Sequence, residues 1–152
     1  MSNMFNVRVK KIYKDAKIPT KAHSTDAGFD IYYYNPKGNF ATMIQPNETV
    51  MLSTGFAIEI PNGYFGGIYA RSGLATKEGL APANAVGIVD SGYRNEVKVA
   101  LHNFSFLPKT IEHGERIAQL IIQPYPEINF VESEELDDSD RGMGGFGDSG
   151  KF

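Results

Sequence analysis

A chain of 152 residues, 41% hydrophobic and 12% aromatic, is long enough to form one domain with a sizeable core. The absence of cysteine excludes a disulfide framework, a thiolate nucleophile and a cysteine-ligated zinc site. The net charge of −3 argues against a general nucleic-acid-binding protein. No apolar run reaches the ~18 residues of a membrane span, and without a visible targeting signal a cytoplasmic protein is expected.

Short strand patterns separated by turn signals fill the first half of the chain. Gly66 and Gly67 interrupt one of these strands and suggest either a bulge or a close backbone approach. Leu74–Glu78 is the only segment predicted to form a helical turn. The predicted strands are residues 5–12, the end of 26–34 after a glycine-containing turn, 49–52, 55–60 and 64–70.

The second half is organised around a predicted hairpin. Residues 85–89 form a small apolar run, and residues 96–102 place Val97, Val99 and Leu101 on one face by alternation. Between them, Asp90-Ser-Gly-Tyr has the composition of a tight turn. A loop at 104–110 and a near-continuous apolar strand at 115–125 follow. The pattern predicts an all-β, jelly-roll-like sandwich or barrel.

The last 21 residues differ in character from the domain predicted for residues 1–131. Residues 132–140 are acidic and aperiodic, which predicts a solvated linker. Residues 141–150 hold five glycines around one arginine and one phenylalanine. Such an end is typically disordered, or it can close over an anionic ligand with a flat ring.

Five glycine-marked polar clusters stand out from this pattern. Arginines in three of them suit phosphate oxygens. Asp30 suits Mg²⁺ or its waters, and Asp90 could orient or deprotonate a water, although alone it could equally be a turn-capping residue. There is no P-loop and no His-Glu-x-x-His motif. The clusters are 26–30, 71–73, 90–93, 114–119 and 141–150, and their arginines are Arg71, Arg116 and Arg141.

In order and spacing, these clusters resemble the five motifs of the trimeric dUTP pyrophosphatase (dUTPase) family. They read Ala-Gly-Phe-Asp, Ala-Arg-Ser-Gly, Gly-Ile-Val-Asp-x-Gly-Tyr, Gly-Glu-Arg-Ile-Ala-Gln and Arg-Gly-x-Gly-Gly-Phe-Gly. The resemblance spans residues 5–150. It implies a homotrimer with shared active sites and a flexible C-terminal arm. It also implies Mg²⁺-assisted hydrolysis of dUTP to dUMP and pyrophosphate, which limits uracil in DNA and supplies dUMP for dTMP synthesis.

The same resemblance implies roles for individual residues at the reaction centre. Asp30 would hold waters of the Mg²⁺ that bridges the triphosphate, and Asp90 would orient the attacking water. The Tyr93 ring would pack under the deoxyribose and leave no room for a 2′-hydroxyl. Uracil would be read by the backbone from Asn84 to Val89 and the strand near Lys98, a set that includes Gly87, Ile88 and Val89.

Other residues are implied to bind phosphate. Arg71, Ser72 and Gly73 would form the phosphate grip of the second motif. Gln119 matches the phosphate contact of the fourth motif, in which Arg116 is structural. In the arm, Arg141 would bind the γ-phosphate and Phe146 would cover uracil, with Gly147 and Ser149 where the family's arm contacts phosphate.

Two departures and three alternatives accompany this interpretation. Asn95 replaces a glycine of the third motif, and Asp148 replaces a serine or threonine of the arm. A deoxycytidine triphosphate deaminase-like enzyme would carry a glutamate where this chain has Ala100, and would lack the glycine-rich arm. A regulatory or binding protein could keep the fold without turnover. A structural jelly-roll protein would explain the strands but none of the clusters.

Overall fold

The computed structural model describes residues 6–150. Its strands and single helix, within those residues, are β1 (Arg8–Lys11), β2 (Phe29–Tyr32), β3 (Thr42–Ile44), β4 (Thr49–Glu59), β5 (Tyr64–Tyr69), α1 (Ser72–Glu78), β6 (Leu80–Pro82), β7 (Gly87–Val89), β8 (Glu96–Asn103), β9 (Lys109–Ile111) and β10 (Arg116–Pro124). The first predicted strand is present as β1, and its predicted start at residue 5 lies outside the described residues. The helix prediction is also confirmed, with a start two residues earlier than expected.

Two four-stranded antiparallel sheets enclose one hydrophobic core. The first has the order β1-β4-β8-β6 and the second β2-β10-β5-β7, while β3 and β9 form a separate ribbon. In β8 the alternation holds, since Val97 and Val99 are 1% exposed and Leu101 is 0% exposed. Strand β10 lies between β2 and β5 and buries Ile117 and Leu120 in the same core. The predicted all-β sandwich is confirmed.

Strand β4 corrects one prediction. Residues 49–52 and 55–60 were expected to form two strands, but they form one long strand that pairs with β8 and shifts register between Ser53 and Ala57. Gly55 lies in the shifted segment with φ of +76°. A glycine there looks like a strand break in sequence, whereas a bulge accommodates it without ending the strand.

The predicted hairpin is the main error. The turn exists, since the Tyr93 N–H donates to the Asp90 carbonyl at 3.1 Å. However, β7 pairs with β5 in one sheet and β8 pairs with β4 and β6 in the other. The segment is therefore a corner between sheets. Because Gly66 has no side chain, β5 can approach Val89 closely: a Cβ at Gly66 would lie 3.3 Å from the Val89 Cβ. This bears out the predicted close backbone approach.

Three strands of three residues each, β3, β6 and β9, were not predicted. A three-residue strand gives too little alternation to be recognised, and β9 begins at the end of the predicted 104–110 loop. Beyond β10, residues 126–150 form no strand or helix in the structure. No helix of the described residues has the length and apolar character to cross a membrane.

Replacing Gly55 with alanine should destabilise the protein more than the same change at Gly63. Both glycines have positive φ, +76° and +81°, so each alanine costs roughly 1–2 kcal/mol of backbone strain. At Gly55 the new Cβ would also lie 2.7 Å from the Ala16 Cβ, whereas at Gly63 no atom lies within 4 Å. Overpacking should add about 1–3 kcal/mol. Urea unfolding at one protein concentration measures both free energies, and equal losses would contradict the assigned crowding.

Candidate active site

Strand β7 and the turn that follows it form one wall of a cleft of about 500 Å³. Asp90 stands at the end of β7 and is exposed. Lys98 of β8 and the apolar side chains of Met51 and Ile68 also line the cleft, and Ile68 is the register partner of Gly87. The structure thus brings together seven residues selected from the sequence: Asn84, Gly87, Ile88, Val89, Asp90, Tyr93 and Lys98.

The Tyr93 ring is fixed at the cleft by its own hydroxyl. That hydroxyl donates to the Glu96 carbonyl at 2.9 Å, while 42% of the residue stays exposed. The Glu96 carboxylate in turn accepts from the Gly55 N–H at 2.9 Å and so holds the β4 bulge. The ring is therefore fixed in orientation and can cover a ligand in the cleft.

Asn84 approaches the backbone of β7 because Gly87 carries no side chain. A Cβ on Gly87 would lie 3.0 Å from the Asn84 Nδ2 and 3.2 Å from the Ile68 Cβ. Gly87 is buried. Ala85, which directly follows Asn84, takes a positive φ of +55°, which is rare for a residue with a side chain. The Asn84 amide and the side-chain-free backbone of Gly87 therefore lie together on the β7 wall of the cleft.

A second polar group lies across β2, β10 and the end of β5. Asp30 on β2 accepts from the Arg71 Nε at 3.0 Å and from the Arg116 Nη1 at 3.2 Å, one carboxylate oxygen for each arginine. Gln119 pairs in register with Asp30 on one side and Tyr69 on the other, and its amide donates to the Ala70 carbonyl at 2.8 Å. Two cations are therefore held by one half-buried carboxylate.

Ser72 and Gly73 follow Arg71 in the first turn of α1, and both are exposed. Arg71 has an extended backbone, and its carbonyl accepts the Ala75 N–H at 2.9 Å as the helix begins. The sequence Arg-Ser-Gly thus presents a guanidinium and a hydroxyl at one strand-to-helix junction. Such a junction suits an anion.

Asp90 of the cleft and Arg71 of the second group do not meet within one chain. Val89 pairs with Gly66 near the start of β5, whereas Arg71 follows the end of that strand. Asp90 and Arg71 are thus separated by about six residues of extended chain, roughly 20 Å at ~3.3 Å per residue.

The structure also keeps the C-terminal arm away from both groups. In the described part of the chain, the hydrogen bonds of residues 126–150 stay within that segment, for example from the Arg141 Nε to the Gly144 carbonyl at 2.9 Å. Phe146 and Arg141 are exposed, as are Gly147 and Ser149. Within one chain, the four arm residues selected from the sequence therefore do not join the cleft.

Comparison with known proteins identifies the family. The dUTPase family profile matches residues 14–150. The chain belongs to the dUTPase family. It is 42% identical over 147 residues to the deoxyuridine 5′-triphosphate nucleotidohydrolase of Clostridioides difficile, covering 97% of this chain and 99% of that protein. The enzyme of the same name from a Hydrogenobaculum strain is 44% identical over 142 residues, covering 93% and 96%.

A solved structure gives the same answer for the fold. The dUTPase of Staphylococcus bacteriophage 80alpha, solved with dUPNHPP, superposes with a TM-score of 0.87 and 30% identity, covering 97% of this chain and 100% of that one. The resemblance inferred from the five motifs is confirmed. The chain is a nucleotidohydrolase of the dUTPase family, which disfavours the deaminase-like and purely structural alternatives.

Several residues of the site region were not found from the sequence. Met51, Ile68 and Val97 line the cleft, but on their strands they read as ordinary apolar positions. Arg94 contacts the turn that carries Asp90 and Tyr93, since its Nη1 donates to the carbonyls of Ser91 and Tyr93. Its place directly after Tyr93 was the only available signal.

Replacing Asp30 with asparagine should destabilise the fold, because it leaves the cations of Arg71 and Arg116 side by side without their carboxylate. The expected loss is about 1.5–3 kcal/mol, that of a hydrogen bond to a charged group. Glu78→Gln is the matched control: its carboxylate accepts from Lys109 at 2.8 Å but is more exposed, and exposed ion pairs contribute little to stability. Thermal unfolding at fixed protein concentration compares them. A larger loss for Glu78→Gln would refute the central role of Asp30.

Proposed function

We propose that the chain hydrolyses dUTP to dUMP and pyrophosphate. The observation that carries the proposal is the cleft in which Asp90 and the Tyr93 ring stand beside the edge strand β7. Relatives 42% and 44% identical to the chain carry the name deoxyuridine 5′-triphosphate nucleotidohydrolase. A phage dUTPase with 30% identity was solved with dUPNHPP.

Uracil recognition is supported by the edge position of β7. Its one neighbour in the sheet is β5, so alternate N–H and C=O groups point away from the ladder. Uracil presents O2, N3–H and O4 in a row, which a strand backbone from Asn84 to Val89 can pair. Cytosine would leave such groups mismatched, and a site built from hydrogen bonds discriminates strongly against a mismatch. The closeness of Gly87 would exclude the methyl group of thymine.

Sugar selection is assigned to Tyr93. Because its hydroxyl is engaged by the Glu96 carbonyl, the ring is held in place and would pack against the deoxyribose. A ring in that position leaves no room for a 2′-hydroxyl. UTP would therefore be rejected by steric exclusion.

Asp90 is assigned the proton transfer. It would accept a proton from a water as the water oxygen bonds to the α-phosphorus, while the bond from that phosphorus to its bridging oxygen breaks and pyrophosphate leaves. Arg71, with Ser72, Gly73 and Gln119, would bind the phosphates and stabilise the charge that develops on the leaving group. This assignment is supported by the exposed position of Asp90 on the cleft wall.

Magnesium fits this donor set as an ion that arrives with the triphosphate. Both oxygens of Asp30 already accept from arginines, and residues 6–150 contain no group of three or more acidic or histidine side chains suited to a metal. Mg²⁺ commonly keeps several waters and binds substrate phosphates. Asp30 would therefore accept hydrogen bonds from those waters, and the ion would neutralise phosphate charge.

The distance between Asp90 and Arg71 along β5 supports a homotrimer with shared sites. A triphosphate cannot reach Arg71 while its α-phosphorus stays beside Asp90 of the same chain. The phosphate-binding group would therefore come from a neighbouring subunit. The arm, residues 132–152, would supply Arg141 for the γ-phosphate and Phe146 over uracil, together with contacts from Gly147 and Ser149.

The cellular role that follows is control of the dUTP pool. Hydrolysis removes a precursor that would place uracil in DNA, and its product dUMP is the starting material for dTMP synthesis.

Pyrophosphate release with Mg²⁺ from dUTP, dTTP, dCTP and UTP tests substrate and acid together. The wild-type chain should act on dUTP, and Asp90→Asn should lower kcat by about 10²–10⁴ because it removes the general base. Asp15→Asn, in a loop outside the cleft, is the matched control and should keep full activity. Ammonia from dCTP would point to deamination. No turnover of any of the four by a folded oligomer would favour the regulatory alternative.

Mixing two inactive chains tests site sharing. One is Asp90→Asn and the other lacks residues 141–152. If one subunit provides Asp90 and another provides the arm, mixed trimers recover a fraction of wild-type activity, measured as dUMP formation after joint refolding. Each chain alone stays inactive. Absence of recovery, with mixed trimers demonstrated by mass spectrometry, would rule out complementation between subunits.

A further inference from the structure

The loop that carries Asp90 and Tyr93 receives no support from a strand ladder. It crosses from β7 in one sheet to β8 in the other, so residues 91–95 belong to neither. Within the loop, the Tyr93 N–H donates a hydrogen bond to the Asp90 carbonyl at 3.1 Å and closes the turn. An exposed loop with so few backbone bonds needs another constraint to keep a general base in place.

Arg94 supplies hydrogen bonds to this loop from a single nitrogen. Its Nη1 donates to the Ser91 carbonyl at 2.6 Å and to the Tyr93 carbonyl at 3.0 Å. These carbonyls belong to the residues on either side of Gly92, so the guanidinium bridges the turn across its glycine. Hydrogen bonds from a charged donor are roughly twice as strong as those between neutral groups.

The Nη2 side of the guanidinium faces Glu59 of β4, the neighbour of β8 in the sheet that the loop enters. The Arg94 Nη2 lies 3.6 Å from one oxygen of Glu59, whose other oxygen is 2.6 Å from the Arg8 Nη2. Arg8 and Glu59 are register partners on β1 and β4, so the carboxylate is fixed by strand pairing. The hydrogen bond from Arg8 is the main cause of a pKa of Glu59 below its ordinary value, which keeps this carboxylate charged.

We propose that Arg94 is a positioning residue for the reaction: it holds Asp90 and Tyr93 at the cleft by joining two loop carbonyls to Glu59 of β4, in the sheet that the loop enters. The proposal rests on the proposed dUTP hydrolysis. The ion pairs alone are not sufficient support, because the side chains of Arg94, Glu59 and Arg8 are 55%, 38% and 81% exposed. Ion pairs between such exposed side chains contribute little to stability. Lysine cannot replace Arg94, because a single ammonium does not reach the two carbonyls and the carboxylate together.

The test compares Arg94→Ala and Arg94→Lys with Lys10→Ala. Lys10 lines the same shallow groove as Arg8 and Glu59, so its removal takes one positive charge from that face without touching the loop. Steady-state hydrolysis of dUTP gives kcat and KM. Hydrogen exchange, read by mass spectrometry on a peptide spanning residues 90–96, reports the loop independently of turnover. Rescue by low concentrations of guanidinium chloride is the third measurement.

Arg94→Ala should lower kcat/KM by about 10- to 100-fold, with kcat reduced and KM raised, because the loop that carries Asp90 and the Tyr93 backbone is held less firmly. Its loop peptide should exchange faster, and guanidinium should restore part of the rate. Arg94→Lys should recover little, and Lys10→Ala should match wild type. A role in overall stability alone would lower the melting temperature but leave KM and the guanidinium response unchanged.

Two results would overturn the proposal. One is wild-type kinetics and wild-type exchange in Arg94→Ala. The other is an equal loss in Lys10→Ala, which would reveal a general effect of surface charge on the nucleotide. If the wild-type chain does not hydrolyse dUTP, the proposed function fails, and the exchange data still decide whether Arg94 holds the loop.

Discussion

The candidate site depends on the close packing of β7 against β5. Strand β7 has a place in the sheet because β5 carries glycines at 66 and 67, and a side chain at Gly66 would collide with Ile60, Leu120 and Val89. With β5 as its one partner, β7 keeps one backbone edge away from the ladder. If β7 and β8 had formed the hairpin that the sequence suggests, the free backbone groups of β7 would instead form hydrogen bonds with β8. The proposed base recognition and the corner between sheets therefore depend on the same packing of β7 against β5.

Strand β5 also separates the two groups of candidate site residues within one subunit. One end of the strand faces Val89, next to Asp90, and the other end leads through Ala70 into Arg71. Antiparallel pairing fixes this separation, and no side-chain movement can close it. Under the proposed mechanism, assembly is part of the chemistry, because Asp90 and Arg71 would come together through contact between chains.

The sequence predicts the buried faces and the family well, because these depend on local residue patterns. Alternation at Val97, Val99 and Leu101 identified a buried face, and the five glycine-marked clusters identified the family. It predicts less well where pairing is decided across the molecule. The run from Ala85 to Val89 is compatible with either sheet, and its own pattern does not show the room that Gly66 of β5 leaves beside Val89. Arg94 was missed for a related reason, since its proposed positioning role depends on contact with Glu59, which is far away in sequence.

The proposed closure of the arm that follows β10 would be an intramolecular binding step. In the described part of the chain, hydrogen bonds of residues 126–150 stay within the segment. A flexible tether of the length of residues 126–140 reaches about 20 Å or more, and its acidic residues extend it further. Such a tether gives the attached Arg141 and Phe146 an effective concentration in the millimolar range. Closure would then be independent of enzyme dilution while the oligomer holds, and sensitive to ionic strength through the charge of the tether.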